Sequence, residues 1–138
     1  MLSENTVLFD HADLAQAHAA AEHVSNFIDL VAAGYSDVDP PVVEFYMNHP
    51  IQTSASGAAT MVIAIGDSTT AAVNADVLTY KTITLADNVD YVKDGKPLVK
   101  IPLPSRMRRY MYLTVTIAET GAETTAECIV SAYLAGKN

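Results

Sequence analysis

From Val42 onward the chain repeats one pattern: a short apolar or alternating run, then a cluster of glycine, proline, aspartate or asparagine. VVEFYM (Val42 to Met47) is β-branched and aromatic, and Pro40 and Pro41 bar a helix from running into it. TMVIAI (Thr60 to Ile65) is a nearly continuous apolar run of strand length, set between SASG and GDS. VLTYKTITL (Val77 to Leu85) is rich in threonine and β-branched residues, and PLVKIPL is short and proline-flanked, as an edge strand or strand end would be. The strongest period-two signal is YMYLTVTI: Met111, Leu113, Val115 and Ile117 fall on one face, Tyr110, Tyr112, Thr114 and Thr116 on the other. ETGAE then turns the chain, and AECIVSAYL reads as a last strand. Short strands at this spacing, with no strand–helix–strand rhythm, predict an all-β antiparallel sandwich or barrel.

The N-terminal segment breaks the pattern. ADLAQAHAAAEHVSNF (Ala12 to Phe27) has helical propensity, yet beyond Leu14 and Val24 its apolar stripe is mostly alanine. Burial would anchor such a helix weakly, so an extended arm crossing a sheet or a neighbouring subunit is an equal expectation. SNFIDLVAAG, directly after it, reads as a strand ended by a glycine turn.

The 138 residues fit one domain that can bury a core without staples, and half of them are hydrophobic while 17% are charged, a globular balance. No apolar run reaches the ~18 residues of a membrane-spanning helix. The first residues, MLSENTVLFDHAD, contain no lysine or arginine, so a secretory signal is not expected and synthesis in the cytoplasm is. The lone Cys128 excludes an internal disulfide and reads as a small buried side chain.

Charge is laid out unevenly along the net −8. Residues 1–80 hold ten acidic groups and no lysine or arginine, while all eight basic residues lie between Lys81 and Lys137. Nucleic acid is not an expected partner, because phosphate binding needs a concentrated positive face. The asymmetry suits copies meeting head to side, acidic surface against basic lip, or a partner of mixed charge; plain solvated surface is the competing expectation. The chain's three arginines, Arg106, Arg108 and Arg109, crowd the entry to the best strand. Arginine forks grip carboxylates, so a contact with another subunit or partner stands beside the plainer reading of a solvated strand end.

Catalytic signatures do not emerge. His18 and His23 share neither a helix face nor a strand face, and His11 and His49 complete no metal motif, so no metal or cofactor is expected. Asp37 and Asp39 in DVDPP lack the further ligands and glycine of a calcium loop and read as a turn. No phosphate loop, dinucleotide fingerprint or nucleophile elbow occurs, and Asp94-Gly95 is a hairpin or tight-turn signal. An enzyme is therefore not expected. Tyr110 and Tyr112, sharing the polar face of the best strand, leave one alternative: a carbohydrate- or ligand-binding β-sandwich module of a virion, stacking a sugar.

Several stretches, in this order, resemble the small capsid cement (decoration) proteins of tailed bacteriophages, in particular the Bbp16-like family: LFD and the alanine-rich arm, SNFIDL into AAG, MVIAI after ASGAAT, and IPLPSRMRRYMYLTVTI. The acidic first half and the histidines depart from that pattern. The resemblance implies a jelly-roll β-sandwich over 28–138 behind an N-terminal arm, residues 1–27, that is partly extended. It further implies a homotrimer on the outer capsid surface of a virion, bridging subunits of the major capsid protein, with no catalytic residues, no nucleic acid and no membrane. Arg106, Arg108, Arg109 and the arm from Leu8 to Ala21, with Leu8, Phe9 and Leu14, are the expected contact residues.

Overall fold

The computed structural model describes residues 6–14, 21–33, 40–48, 58–73, 77–86, 95–104, 107–119 and 129–135. Most of them lie in antiparallel strands, with one turn of helix. The elements are β1 (Val7–Asp13), β2 (Ala21–Val24), β3 (Ile28–Asp29), α1 (Leu30–Ala33), β4 (Val42–Met47), β5 (Ala58–Ser68), β6 (Val77–Ala86), β7 (Val99–Pro102), β8 (Tyr110–Glu119) and β9 (Ile129–Ala135). Each strand predicted after residue 40 is present.

Two sheets form. One runs β1-β9-β4-β7 and the other β2-β8-β5-β6, with β3 also on β8. Their facing side chains make one core: Val43, Phe45 and Met47 on β4, Val130, Ala132 and Leu134 on β9, against Met61, Ile63 and Ile65 on β5 and Met111, Leu113, Val115 and Ile117 on β8. These are alternate residues, as the period-two pleat requires when one face is buried against a second sheet. The molecule is an all-β sandwich.

The segment of helical propensity is extended at both described ends. Ala12 and Asp13 pair with Val130 and Ile129, and Ala21 to Val24 pair with Ile117 to Thr114. Of the two expectations, these described ends take the extended one, where strand pairing and burial of Leu14 outweigh the propensity of small residues. Residues 15–20 lie outside the described residues.

β1 is no loose arm but a strand of the core sheet, and it carries two extra residues relative to β9, between Val7 and Phe9 and between Phe9 and Ala12. These bulges break alternation, so the consecutive Leu8 and Phe9 are both buried. His11 takes a positive φ of 47° at the second bulge. Its N–H donates to Ser131 Oγ (3.0 Å), and Ser131 in turn donates to Asn48 Oδ1 (2.6 Å).

β2 and β3 follow one line along β8 with one residue inserted. Val24 pairs with Thr114 and Ile28 with Met111. Ser25 fills the interruption: its Oγ accepts the N–H of Leu113 (2.8 Å) and its own N–H donates to the Leu113 carbonyl (2.9 Å). The inserted residue brings Phe27 onto the ring of Tyr112, centroids 4.9 Å apart. The strand expected in SNFIDLVAAG is therefore two residues long and passes at once into α1. Gly95 has the positive φ (62°) of a tight turn, and β6 and β7, which precede and follow it, lie in different sheets.

Candidate functional site

Tyr110 opens β8 between two neighbours, Asp29 of β3 on one side and Ser68 of β5 on the other. The two preceding residues divide between those sides. Arg109 reaches toward β3 and clasps Asp29, with Nε 3.1 and 3.2 Å from the two carboxylate oxygens and Nη2 2.8 Å from Oδ2. Arg108 reaches toward β5: Nε and Nη2 donate to Asp67 Oδ1 at 3.1 and 2.9 Å, and its backbone N–H donates to Oδ2 at 2.8 Å. Each pair is a two-donor fork, the arrangement guanidinium and carboxylate shapes favour.

Asp29 has a second task. Its Oδ1 accepts the N–H groups of Val31 (3.1 Å) and Ala32 (3.4 Å), the unpaired donors at the start of α1. The side-chain hydrogen bonds from Arg109 hold this carboxyl below its ordinary pKa against a smaller opposing effect of desolvation, and the amide of Ala32 assists. Asp29 reciprocally raises the pKa of Arg109, whose guanidinium carbon lies 5.2 Å from the centre of the Tyr110 ring. α1 is thereby fixed in place while it presents Val31, 72% exposed, to solvent.

The arginine expectations change accordingly. The carboxylates that Arg108 and Arg109 grip belong to this chain, drawn from its acidic first half, and the forks close the entry of β8 onto its neighbours. Arg106 lies outside the described residues. Leu8, Phe9 and Leu14, expected as contact residues of a free arm, are buried in the chain's own core.

Tyr112 corrects the expectation of a tyrosine-lined sugar site. It is fully buried, beneath Phe27 and above Gly66, so it cannot stack a ligand. Thr114, on the same face, is buried as well. β8 is an interior strand covered on both sides at this level, and its polar-looking face is a second packing surface.

A cleft of about 410 Å³ opens between β1 and β2, lined by Leu8, Leu14, Asp10, His23, Ser25 and Asn26 among others. The backbone bond from Asn26 N–H to the Leu8 carbonyl (3.0 Å) joins the two sheets beside it. Asp10 and His11, both exposed, meet at 2.9 Å on its rim. Among the described residues no three histidine, cysteine, aspartate or glutamate side chains converge as metal ligands. None of the described helices is long and apolar enough to cross a membrane. Cys128, His18, His49, Asp37 and Asp39 lie outside the described residues.

Sequence reasoning missed Asp29 and Asp67 as partners of the arginines. The available signal was indirect: two guanidinium groups at a strand entry in a chain with twice as many acids as bases. It also passed over Lys96 and Lys100, which stand exposed near and on β7. The family model of Bbp16 matches residues 12–132, from the end of β1 to the middle of β9. No curated protein matches the chain. Matched along nearly its whole length, both sheets included, this chain belongs to the Bbp16 family.

Proposed function

We propose that this protein is a bacteriophage capsid cement protein, which sits on the outer surface of the shell as a homotrimer and bridges subunits of the major capsid protein. The observation that carries the reading is membership of the Bbp16 family over residues 12–132, joined to the resemblance of IPLPSRMRRYMYLTVTI and its companion stretches to phage cement proteins. The sandwich supports it. Its functional-looking side chains are largely spent on rigidity: arginine forks lock the entry of β8, and Tyr112, one of the two tyrosines of the alternative sugar site, is buried.

The mechanism is adhesion. A rigid β body loses little further conformational freedom on docking, so more of its contact energy appears as affinity. In a trimer, the first contact with the shell brings the other two to high effective concentration, and weak single contacts add to a persistent attachment. A bound trimer then holds together subunits that internal pressure would slide apart.

The test uses shells of the cognate phage assembled without this protein. Added chain should sediment with the shells to a saturating stoichiometry and raise the temperature at which they open. Failure to bind mature shells, or binding with no gain in shell stability, rejects the reading.

A further inference from the structure

Among the described residues, exposed acids and exposed lysines stand on opposite edges of the sandwich. β1 and β2 are the first strands of their sheets and lie together, joined by the Asn26–Leu8 bond and sharing the cleft. β6 and β7 are the last strands of the same sheets, at the other side. On β1 and β2 stand the exposed Asp10 and Glu22, and neither strand contains a lysine or arginine. β7 and the approach to it from Gly95 hold Lys96 and Lys100, with no aspartate or glutamate among these described residues; the preceding stretch 87–94, with Lys93 and three aspartates, lies outside the described residues. Asp10, Glu22, Lys96 and Lys100 are all exposed; among the described residues Lys100 approaches Glu44 of β4, at 4.0 Å.

The strand edges differ as well. β1 is interrupted by two bulges, β2 is four residues long, and β7 is four residues ending in Pro102, all features that discourage a further strand. β6 is ten residues with no proline or glycine and a single bulge, one extra residue between Thr79 and Lys81 against β5, and among the described residues its outer edge carries no strand.

We infer that the acidic β1/β2 side of one copy docks against the basic β6/β7 side of the next. The occupant is a second copy of this chain, because the two sides carry opposite charge and each molecule supplies both. Such a contact is heterologous: it leaves one side of each kind open until the chain of copies closes into a ring. The inference gives the trimer of the proposed function its surface and rests on that reading for the number three. It also moves the basic half of the contact from the arginines, which are occupied within the chain, to the lysines.

The test is the mass of the purified full chain by light scattering, at low salt and at ~1 M salt, where screening extends only ~3 Å from each charge. Wild type should be multimeric at low salt and dissociate at high salt. Asp10→Lys/Glu22→Lys and Lys96→Glu/Lys100→Glu should each be monomers, and the quadruple variant, with both sides exchanged, should regain the multimer. That regain excludes misfolding as the cause of the losses. A wild type monomeric under all conditions, a one-sided reversal that leaves the mass unchanged, or a quadruple variant that stays monomeric overturns the inference. Shell binding by a monomeric chain would overturn it while leaving the cement reading intact; a salt-sensitive multimer that ignores shells would do the reverse.

Discussion

Gly66 lies directly against the ring of Tyr112: a Cβ built on Gly66 would stand 2.2 Å from Tyr112 Cζ and 2.6 Å from its hydroxyl. The two residues are paired across β5 and β8, and Phe27 covers the other side of the tyrosine. The absent side chain is what lets a large aromatic ring lie down on the sheet.

Gly66→Ala is therefore expected to destabilise the fold by about 1–3 kcal/mol, the usual range for overpacking a tight site. Tyr112→Leu alone should also destabilise, by opening a cavity. In the double variant the alanine no longer meets the ring, so the two losses should not add. Denaturant unfolding of the four proteins checks this; strict additivity would contradict the packing described.

The Arg109–Asp29 clamp has a pH signature. Asp29 titrates below the ordinary aspartate range, so folding is favoured by this group above that range and the contribution is lost as pH falls through the lowered value. In Arg109→Ala the Asp29 carboxyl should titrate higher, observed directly by carboxyl NMR, and acid unfolding should begin at higher pH. Unchanged titration of Asp29 would show that the fork does not persist in solution.

Alkaline pH probes the other sheet. The Tyr46 hydroxyl donates to Glu44 Oε1 at 2.7 Å, and that hydrogen bond, aided by burial, pushes the tyrosine pKa up. Its contribution is present below the ordinary tyrosine pKa and is lost as pH rises through the raised value. Glu44→Gln keeps an acceptor but removes the charge, so Tyr46 should ionise at lower pH, read from tyrosinate absorbance.

Ser131 bonds both the bulged backbone at His11 and Asn48 from an almost fully buried position. Ser131→Ala should cost about 0.5–1.5 kcal/mol, the usual net worth of such a bond, since its partners at His11 and Asn48 are only partly buried. His11→Gly should be neutral or stabilising by up to about 1 kcal/mol, because glycine accepts the positive φ without the Cβ penalty while losing some chain entropy. Thermal unfolding of both variants separates the bond from the strain.

The strands after residue 40 were legible because each carries its own record of burial. Val43, Phe45 and Met47, or Met111, Leu113 and Val115, alternate along the sequence, and a one-residue slip would expose all of them. The arm was not legible, since alanine fits a helix and a crowded strand edge alike. Two extra residues in β1 then erased the alternation that would have marked Leu8 and Phe9 as core. Of the candidate site, the sequence located the arginines but not their partners: Asp29 is 80 residues from Arg109 and Asp67 is 41 from Arg108.

The sequence by itself determined an antiparallel β fold, the absence of a familiar catalytic motif, and the division of charge between the two halves of the chain. All three are local properties, written in neighbouring residues or in simple counts. Only the tertiary structure decided that Tyr112 is buried, that Arg108 and Arg109 are answered from within, and that the exposed Asp10 and Glu22 stand across the sandwich from Lys96 and Lys100. Those outcomes depend on which strands become neighbours, and pairing across a sandwich joins residues that the chain keeps far apart.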